Sequence, residues 1–281
     1  MKHLILSAFS DEYSDVLKEQ CEALNGFGIG YMELRHADGK NVAEMNDADV
    51  ARVKSVLSDY GVKVSAIGSP LGKIRIDGDV KGHMDTVRRV CETACELGAK
   101  NIRMFSFYYP EEEGAAANRG RIFDALSEML KISKSYGVTL CHENEAKIYG
   151  ESPTACREIL DYFGGELKAV FDMGNFVLDG FRPYPDAYDL LKKDIAYFHL
   201  KDALYAGAIV PAGKGEAQIK EVLSDWSANA TEDTFITLEP HLQTFSGLNA
   251  LVGKPFDNPY KYEDQRAAFT DAVQKIKEIL L

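Results

Sequence analysis

Gly137-Val138-Thr139-Leu140-Cys141-His142-Glu143 decides how the rest of the chain is read. Gly137 stands where a helix wants a left-handed C-cap, the short run Val138–Cys141 reads as a buried strand, and Glu143 follows where that strand would emerge into a loop. The same arrangement recurs downstream: Ala169–Phe171 then Asp172, Ile195–Phe198 then His199, and Phe235–Leu238 then Glu239. Each run ends on a side chain able to bind a divalent metal.

Working outward, eight apolar runs predict strands at His3–Ala8, Gly30–Leu34, Val62–Ile67, Asn101–Phe105, Val138–His142, Ala169–Asp172, Ala196–Leu200 and Phe235–Glu239. Between them, apolar residues at three- and four-residue spacing predict helices over Asp15–Leu24, Asp47–Tyr60, Lys81–Leu97, Ile122–Tyr136, Pro153–Phe163, Pro185–Lys193, Ala217–Ser227 and Tyr262–Leu281. Gly61, Gly98 and Gly137 fall at expected helix ends, and Asp47, Ser152 and Pro153 at expected starts. Strands too apolar for one exposed face imply a parallel sheet covered by helices, most simply a closed (β/α)₈ barrel over residues 1–281 as one domain. An open doubly wound sheet would place a glycine-rich phosphate loop after the first strand, where this chain has Ser7-Ala8-Phe9-Ser10-Asp11-Glu12.

The chain has 281 residues, 46% hydrophobic and 27% charged, enough to bury a sizeable core. A formal charge of -12 argues against nucleic-acid binding. The run Leu4–Phe9 is too short for a membrane span or secretory segment, and five cysteines without a framework read as reduced thiols in a cytoplasmic protein. Cys91 and Cys95 lie one helical turn apart and read as core residues rather than a metal pair.

In a barrel, Glu143, Asp172, His199 and Glu239 stand at the carboxyl ends of strands five to eight. Adjacent strands are about 4.8 Å apart, so these ends can converge on one ion near the axis. Three carboxylates and an imidazole suit Mn²⁺, Mg²⁺, Co²⁺ or Zn²⁺. Singly, each has an ordinary explanation: Asp172 can cap a helix, and His199 can be a hydrogen-bonded core histidine. Four at consecutive strand ends point to a site. Lys201, on the same strand face as His199, can reach a substrate oxygen or pair with Asp202 or Glu216, and Glu145 can sit beside the metal or cap its loop. Phe105, Phe107, Tyr108 and Tyr109 can wall a substrate. Arg35, Lys73, Arg103 and Arg182 can meet a phosphate, although no phosphate-binding glycine loop accompanies them.

The segments His142-Glu143-Asn144-Glu145, Phe171-Asp172-Met173-Gly174-Asn175, Phe198-His199-Leu200-Lys201-Asp202, Pro211-Ala212-Gly213-Lys214-Gly215-Glu216 and Thr237-Leu238-Glu239-Pro240 resemble the metal-site segments of the xylose isomerase-like TIM-barrel superfamily, the sugar phosphate isomerase/epimerase group. Tyr31-Met32-Glu33-Leu34-Arg35 and Ser69-Pro70-Leu71-Gly72-Lys73-Ile74 resemble its second- and third-strand regions, so the likeness covers the whole chain. The resemblance implies one divalent metal on Glu143, Asp172, His199 and Glu239, with Glu143 and Glu239 as the proton-transferring pair. Members acting on free ketoses commonly carry a second histidine three residues after the aspartate; here it is Asn175, which can hydrogen-bond a hydroxyl but carries no charge.

The reaction so implied is isomerisation or epimerisation of a small sugar or keto-polyol through a metal-stabilised enediolate. Arg103, Asn175, Lys201 and Glu145 are the candidate substrate contacts. The alternatives are a metal-dependent, inosose dehydratase-like dehydratase of a keto-polyol and a non-catalytic sugar-binding barrel. An endonuclease of the same superfamily would need more histidines and a basic surface. The segment 241–260, with Phe245, Leu248, Leu251, Val252 and Phe256, is apolar for a loop and reads as a lid or a contact in a homo-oligomer.

Overall fold

Eight parallel strands alternate with helices in the computed structural model, which describes residues 1–243 and 260–281. The strands are β1 (Leu4–Ala8), β2 (Tyr31–Leu34), β3 (Lys63–Gly68), β4 (Asn101–Met104), β5 (Thr139–Glu143), β6 (Lys168–Asp172), β7 (Ile195–Leu200) and β8 (Thr234–Leu238). They lie in the order β1-β8-β7-β6-β5-β4-β3-β2. All eight expected strands are present within a residue or two at each end.

Where the sequence reading expects a closed barrel, the circle is nearly closed: no ladder joins β1 to β2 among the described residues. The mouth of that seam is fastened by side chains instead. Arg35, one residue past β2, donates from Nε to Asp11 Oδ2 at 2.8 Å and from Nη2 to Glu12 Oε1 at 3.4 Å, both acceptors lying just past β1.

The covering helices are α1 (Leu17–Gly26), α2 (Asp47–Tyr60), α3 (Val80–Leu97), α4 (Gly114–Tyr136) and α5 (Pro153–Tyr162), then the short α6 (Met173–Leu178) and α7 (Tyr188–Leu191), and finally α8 (Ile219–Asn229) and α9 (Gln265–Leu280). Gly61, Gly98 and Gly137 end α2, α3 and α4 in the left-handed conformation, and Ser152 caps α5 with Pro153 at its first position. Two expectations are corrected. The helix expected from Ile122 begins eight residues earlier, at Gly114. The helix expected over Pro185–Lys193 is helical but divided, into a π-helical stretch over Pro183–Ala187 in which Tyr184 alone is extended, then α7, then a 3₁₀ turn over Lys192–Asp194.

One core fills the space between sheet and helices, built from Leu140, Phe171, Phe198 and Ile236 on the strands' outer faces against residues such as Met84, Leu126 and Val273. Inside the barrel a smaller layer of Ala66, Cys141, Val170 and Tyr197 closes the axis. Cys91 is buried and Cys95 exposed on α3, and all five cysteines are free thiols. No helix among the described residues is long and apolar enough to cross a membrane.

Candidate metal centre

Strand alternation builds the site directly on that inner layer. Two residues beyond Cys141, Val170 and Tyr197, the next inward positions are Glu143, Asp172 and His199, while His142 between them points outward to Ser106 Oγ at 2.9 Å. Asp172 pairs in register with His199, and Thr237, two residues before Glu239, pairs with the same histidine. As a result Glu143, Asp172, His199 and Glu239, all buried, bring one ligand atom each to within 4.8 Å of one another. Opposite ligands on an ion with bonds of about 2.1 Å stand about 4.2 Å apart, so the four fit one divalent ion after shifts of a few tenths of an ångström.

His199 Nδ1 lies 3.0 Å from Glu143 Oε1 and 3.3 Å from Glu239 Oε2. Its Nε2 lies 3.1 Å from Glu33 Oε2, and Glu33 also accepts from the Tyr197 hydroxyl at 2.9 Å. A carboxylate on Nε2 holds the proton there and leaves Nδ1 to face the ligand oxygens. The Asn144 side chain donates to Asp172 O and accepts from Asp172 N, both at 3.0 Å, clamping the ends of β5 and β6 together. Asp172 also caps α6, since its Oδ1 accepts from Asn175 N at 2.8 Å; the ordinary and the ligand readings of this residue therefore hold together.

The remaining residues divide. A cavity of about 430 Å³ opens above the cluster and is lined by Lys73, Arg103, Glu143, Glu145, Asn175 and Lys201 among others, in the volume range of small-molecule sites. Arg103 Nη1 donates to Glu143 Oε2 at 3.0 Å and stands 3.7 Å from Glu239 Oε1, bridging the two glutamates. Lys201 pairs with neither Asp202 nor Glu216; its ammonium donates to Asp172 Oδ2 at 2.8 Å, Asn175 Oδ1 at 3.0 Å and Glu239 Oε2 at 3.1 Å. All three of its donors are thereby used, so reaching a substrate oxygen means giving one up.

Glu145 stands outside the ligand cluster, accepting from Lys73 at 2.7 Å and from Ala146 N at 3.1 Å. Of the four expected wall aromatics, Tyr108 lines the cavity while Phe105 and Phe107 are buried. Arg182 is exposed and does not line it. Phe245, Leu248, Leu251, Val252 and Phe256 lie outside the described residues. Two larger hollows, about 770 and 810 Å³, open at the strands' amino ends and contain none of the cluster.

The family model for xylose isomerase-like TIM barrels matches residues 21–274. The chain belongs to the xylose isomerase-like TIM barrel family. Among solved structures it is similar to a D-allulose 3-epimerase from Methylomonas sp., at 14% identity and TM-score 0.76 over 99% of each chain. It is similar to the IOLI protein with a bound zinc atom, at 15% identity and TM-score 0.75 over 99% of this chain and 98% of that one. A xylose isomerase-like TIM barrel protein from Mycobacterium smegmatis in complex with magnesium aligns at 13% identity and TM-score 0.70, covering 99% of this chain and 97% of that one. At these identities the likeness is one of fold. No curated protein sequence matches the chain.

In this xylose isomerase-like barrel several residues around the cluster escape a strand-end reading of the sequence. Glu33, Arg35, Asp11 and Glu12 are all buried around the glutamates. Arg35 Nη1 donates to Glu239 Oε1 at 3.0 Å, and Phe9, directly after β1, lies under both guanidinium groups, 4.2 Å from Arg35 and 5.2 Å from Arg103. Gly68 makes room for that ring: a Cβ there would meet Phe9 Cε1 at 2.4 Å. The signal available in sequence was the acidic pair Asp11-Glu12 at the end of the first strand.

Charge supports the metal. Six buried carboxylates, Asp11, Glu12, Glu33, Glu143, Asp172 and Glu239, face three permanent cations, Arg35, Arg103 and Lys201. Protons answer part of the deficit: burial opposes charging His199, but Glu143, Glu33 and Glu239 outweigh it and hold its pKa well above the ordinary range. Burial pushes Asp172 up to about 7 against the pull of Lys201, and Glu12 up to about 8 against the pull of Arg35. The carboxylates outnumber these permanent cations by three, a deficit that a divalent ion would largely offset.

Two outcomes follow from this wiring. Glu33→Gln removes the carboxylate that orients His199, and Mn²⁺ affinity measured by calorimetric titration is expected to fall about 10- to 100-fold; unchanged affinity would remove Glu33 from the metal's support. The second concerns pH. The Glu12 carboxyl titrates near 8 in the folded protein against an ordinary 4.5, so its proton stabilises the metal-free fold fully below about pH 4.5, and that contribution is lost as pH rises through 8. Between those limits the denaturation midpoint of the metal-free protein is expected to fall with pH, and Glu12→Gln is expected to flatten the profile.

Proposed function

We propose that this chain is a divalent-metal-dependent isomerase or epimerase of a small sugar or keto-polyol, working by proton transfer between Glu143 and Glu239. The supporting observation is that the two glutamates converge on His199 Nδ1, at 3.0 and 3.3 Å, each offering one oxygen to the metal cluster, and share the Arg103 guanidinium at 3.0 and 3.7 Å. A bound ion supplies Lewis-acid polarisation of a carbonyl and its neighbouring hydroxyl.

The chain's own residues do the rest. One glutamate takes the proton from the hydroxyl-bearing carbon beside the carbonyl, the electron pair forms an enediolate, and a proton returns either to the opposite face of that carbon or, with the hydroxyl proton passing to the former carbonyl oxygen, to its neighbour. Both carboxylates are held ionised against their burial, Glu143 by His199 and Arg103 and Glu239 by Lys201, His241 and His199, so each is able to accept a proton. Asn175, donating at 2.9 Å to Asn144 O and at 3.4 Å to Glu143 Oε1, borders the cavity as a neutral hydroxyl partner. Metal analysis of purified protein, followed by turnover of a ketose panel in D₂O, tests the reading: deuterium at the carbon beside the carbonyl with an isomeric product supports it, loss of water points to a dehydratase, and absence of exchange with metal bound refutes it.

A further inference from the structure

Most polar groups around the cavity have partners. Lys73 is tied to Glu145 at 2.7 Å, Asn175 and Lys201 are tied to the cluster, and Lys147 lies at the exposed rim. Asp179, at the C-terminus of α6, is different. Its side chain lines the cavity and its Oδ2 is out of contact with solvent, yet that oxygen has no hydrogen-bond partner among the described residues. An acceptor left in that condition costs free energy unless a donor arrives from elsewhere.

The neighbouring charges narrow the donor. Burial raises Asp179 to about 7, and Glu151, Glu145 and Asp172 add to the rise while Lys201 opposes it. Three carboxylates against one ammonium thus act on Asp179 and disfavour an anion directly beside it.

We propose that Asp179 is a specificity residue: its carboxyl receives a hydrogen-bond donor, a hydroxyl or an ammonium, carried by the end of the substrate remote from the reacting carbons. The cavity then selects a polyhydroxylated or aminated chain and discriminates against the same chain ending in a methyl or a phosphate. The inference rests on the reading of the site as one that takes a small sugar or keto-polyol.

The test uses the metal-loaded full chain and its Asp179→Leu variant, which keeps the branched shape and removes both acceptor oxygens. Four probes are compared: a 2-ketohexose that the wild type binds, and its 6-deoxy, 6-amino-6-deoxy and 6-phosphate counterparts. Binding is measured by calorimetry, and solvent deuterium exchange in parallel. The wild type is expected to prefer the hydroxyl- and amino-terminated probes over the 6-deoxy one about 10- to 100-fold, with the 6-phosphate weakest, and Asp179→Leu is expected to collapse that ratio. A structural role alone would weaken all four probes together and overturn the proposal. Equal binding of the hydroxyl and deoxy probes by the wild type, or no binding of any, also overturns it. Discrimination in binding without deuterium exchange leaves the proposal standing and refutes the isomerase reading instead, whereas exchange without discrimination does the reverse.

Discussion

Glu239→Gln is expected to lower solvent deuterium incorporation into substrate by about 10²- to 10⁴-fold, the range of a lost general acid or base, with the far-UV spectrum unchanged. The amide keeps one oxygen, which can still accept either from Arg35, which donates to Oε1 at 3.0 Å, or from Lys201, which donates to Oε2 at 3.1 Å, while the other cation keeps its remaining carboxylate partners. What disappears is the capacity to take a proton. Exchange at the wild-type rate, measured by NMR at saturating substrate and metal, would end the two-glutamate reading. A decrease accompanied by loss of bound metal would assign the residue to ligation alone.

The largest expected effect on stability belongs to Arg35→Met. The guanidinium is 1% exposed and satisfies Asp11, Glu12 and Glu239, so its removal leaves three buried carboxylates without their common cation. Breaking a buried ion pair on one side costs about 3–5 kcal/mol, and denaturant unfolding at neutral pH is expected to show a loss of that size. A loss below about 1 kcal/mol would mean that the arginine is dispensable to the seam.

The part of this protein written locally was the part legible in sequence. A strand of five residues between a capping glycine and a polar loop declares itself, and period-two alternation assigns Glu143, Asp172 and His199 to one face without reference to the rest of the chain. Lys201 falls on the same face for the same reason, but of its two sequence readings the pairing with Asp202 or Glu216 is not the one formed: its partners are Asp172, Asn175 and Glu239, which only barrel closure brings within reach. Asp202 instead accepts from the backbone amides of Ala203, Gly213, Gly215 and Ala217, organising the loop after β7. Arg35 and Glu239 are 204 residues apart, and nothing near either one announces the other. Short elements such as α6 fall below the length at which periodicity can speak.

The seam between β1 and β2 has a thermodynamic consequence. A ring hydrogen-bonded all the way round would keep its integrity independent of what it holds, whereas this one is clasped at the mouth by ion pairs. Glu239 belongs to both: Oε1 faces Arg35 and Oε2 faces His199 and Lys201. Occupancy of the centre and closure of the ring are therefore linked functions, each shifting the other by the same free energy. The backbone amides bordering the clasp become remote reporters of whether the centre is filled.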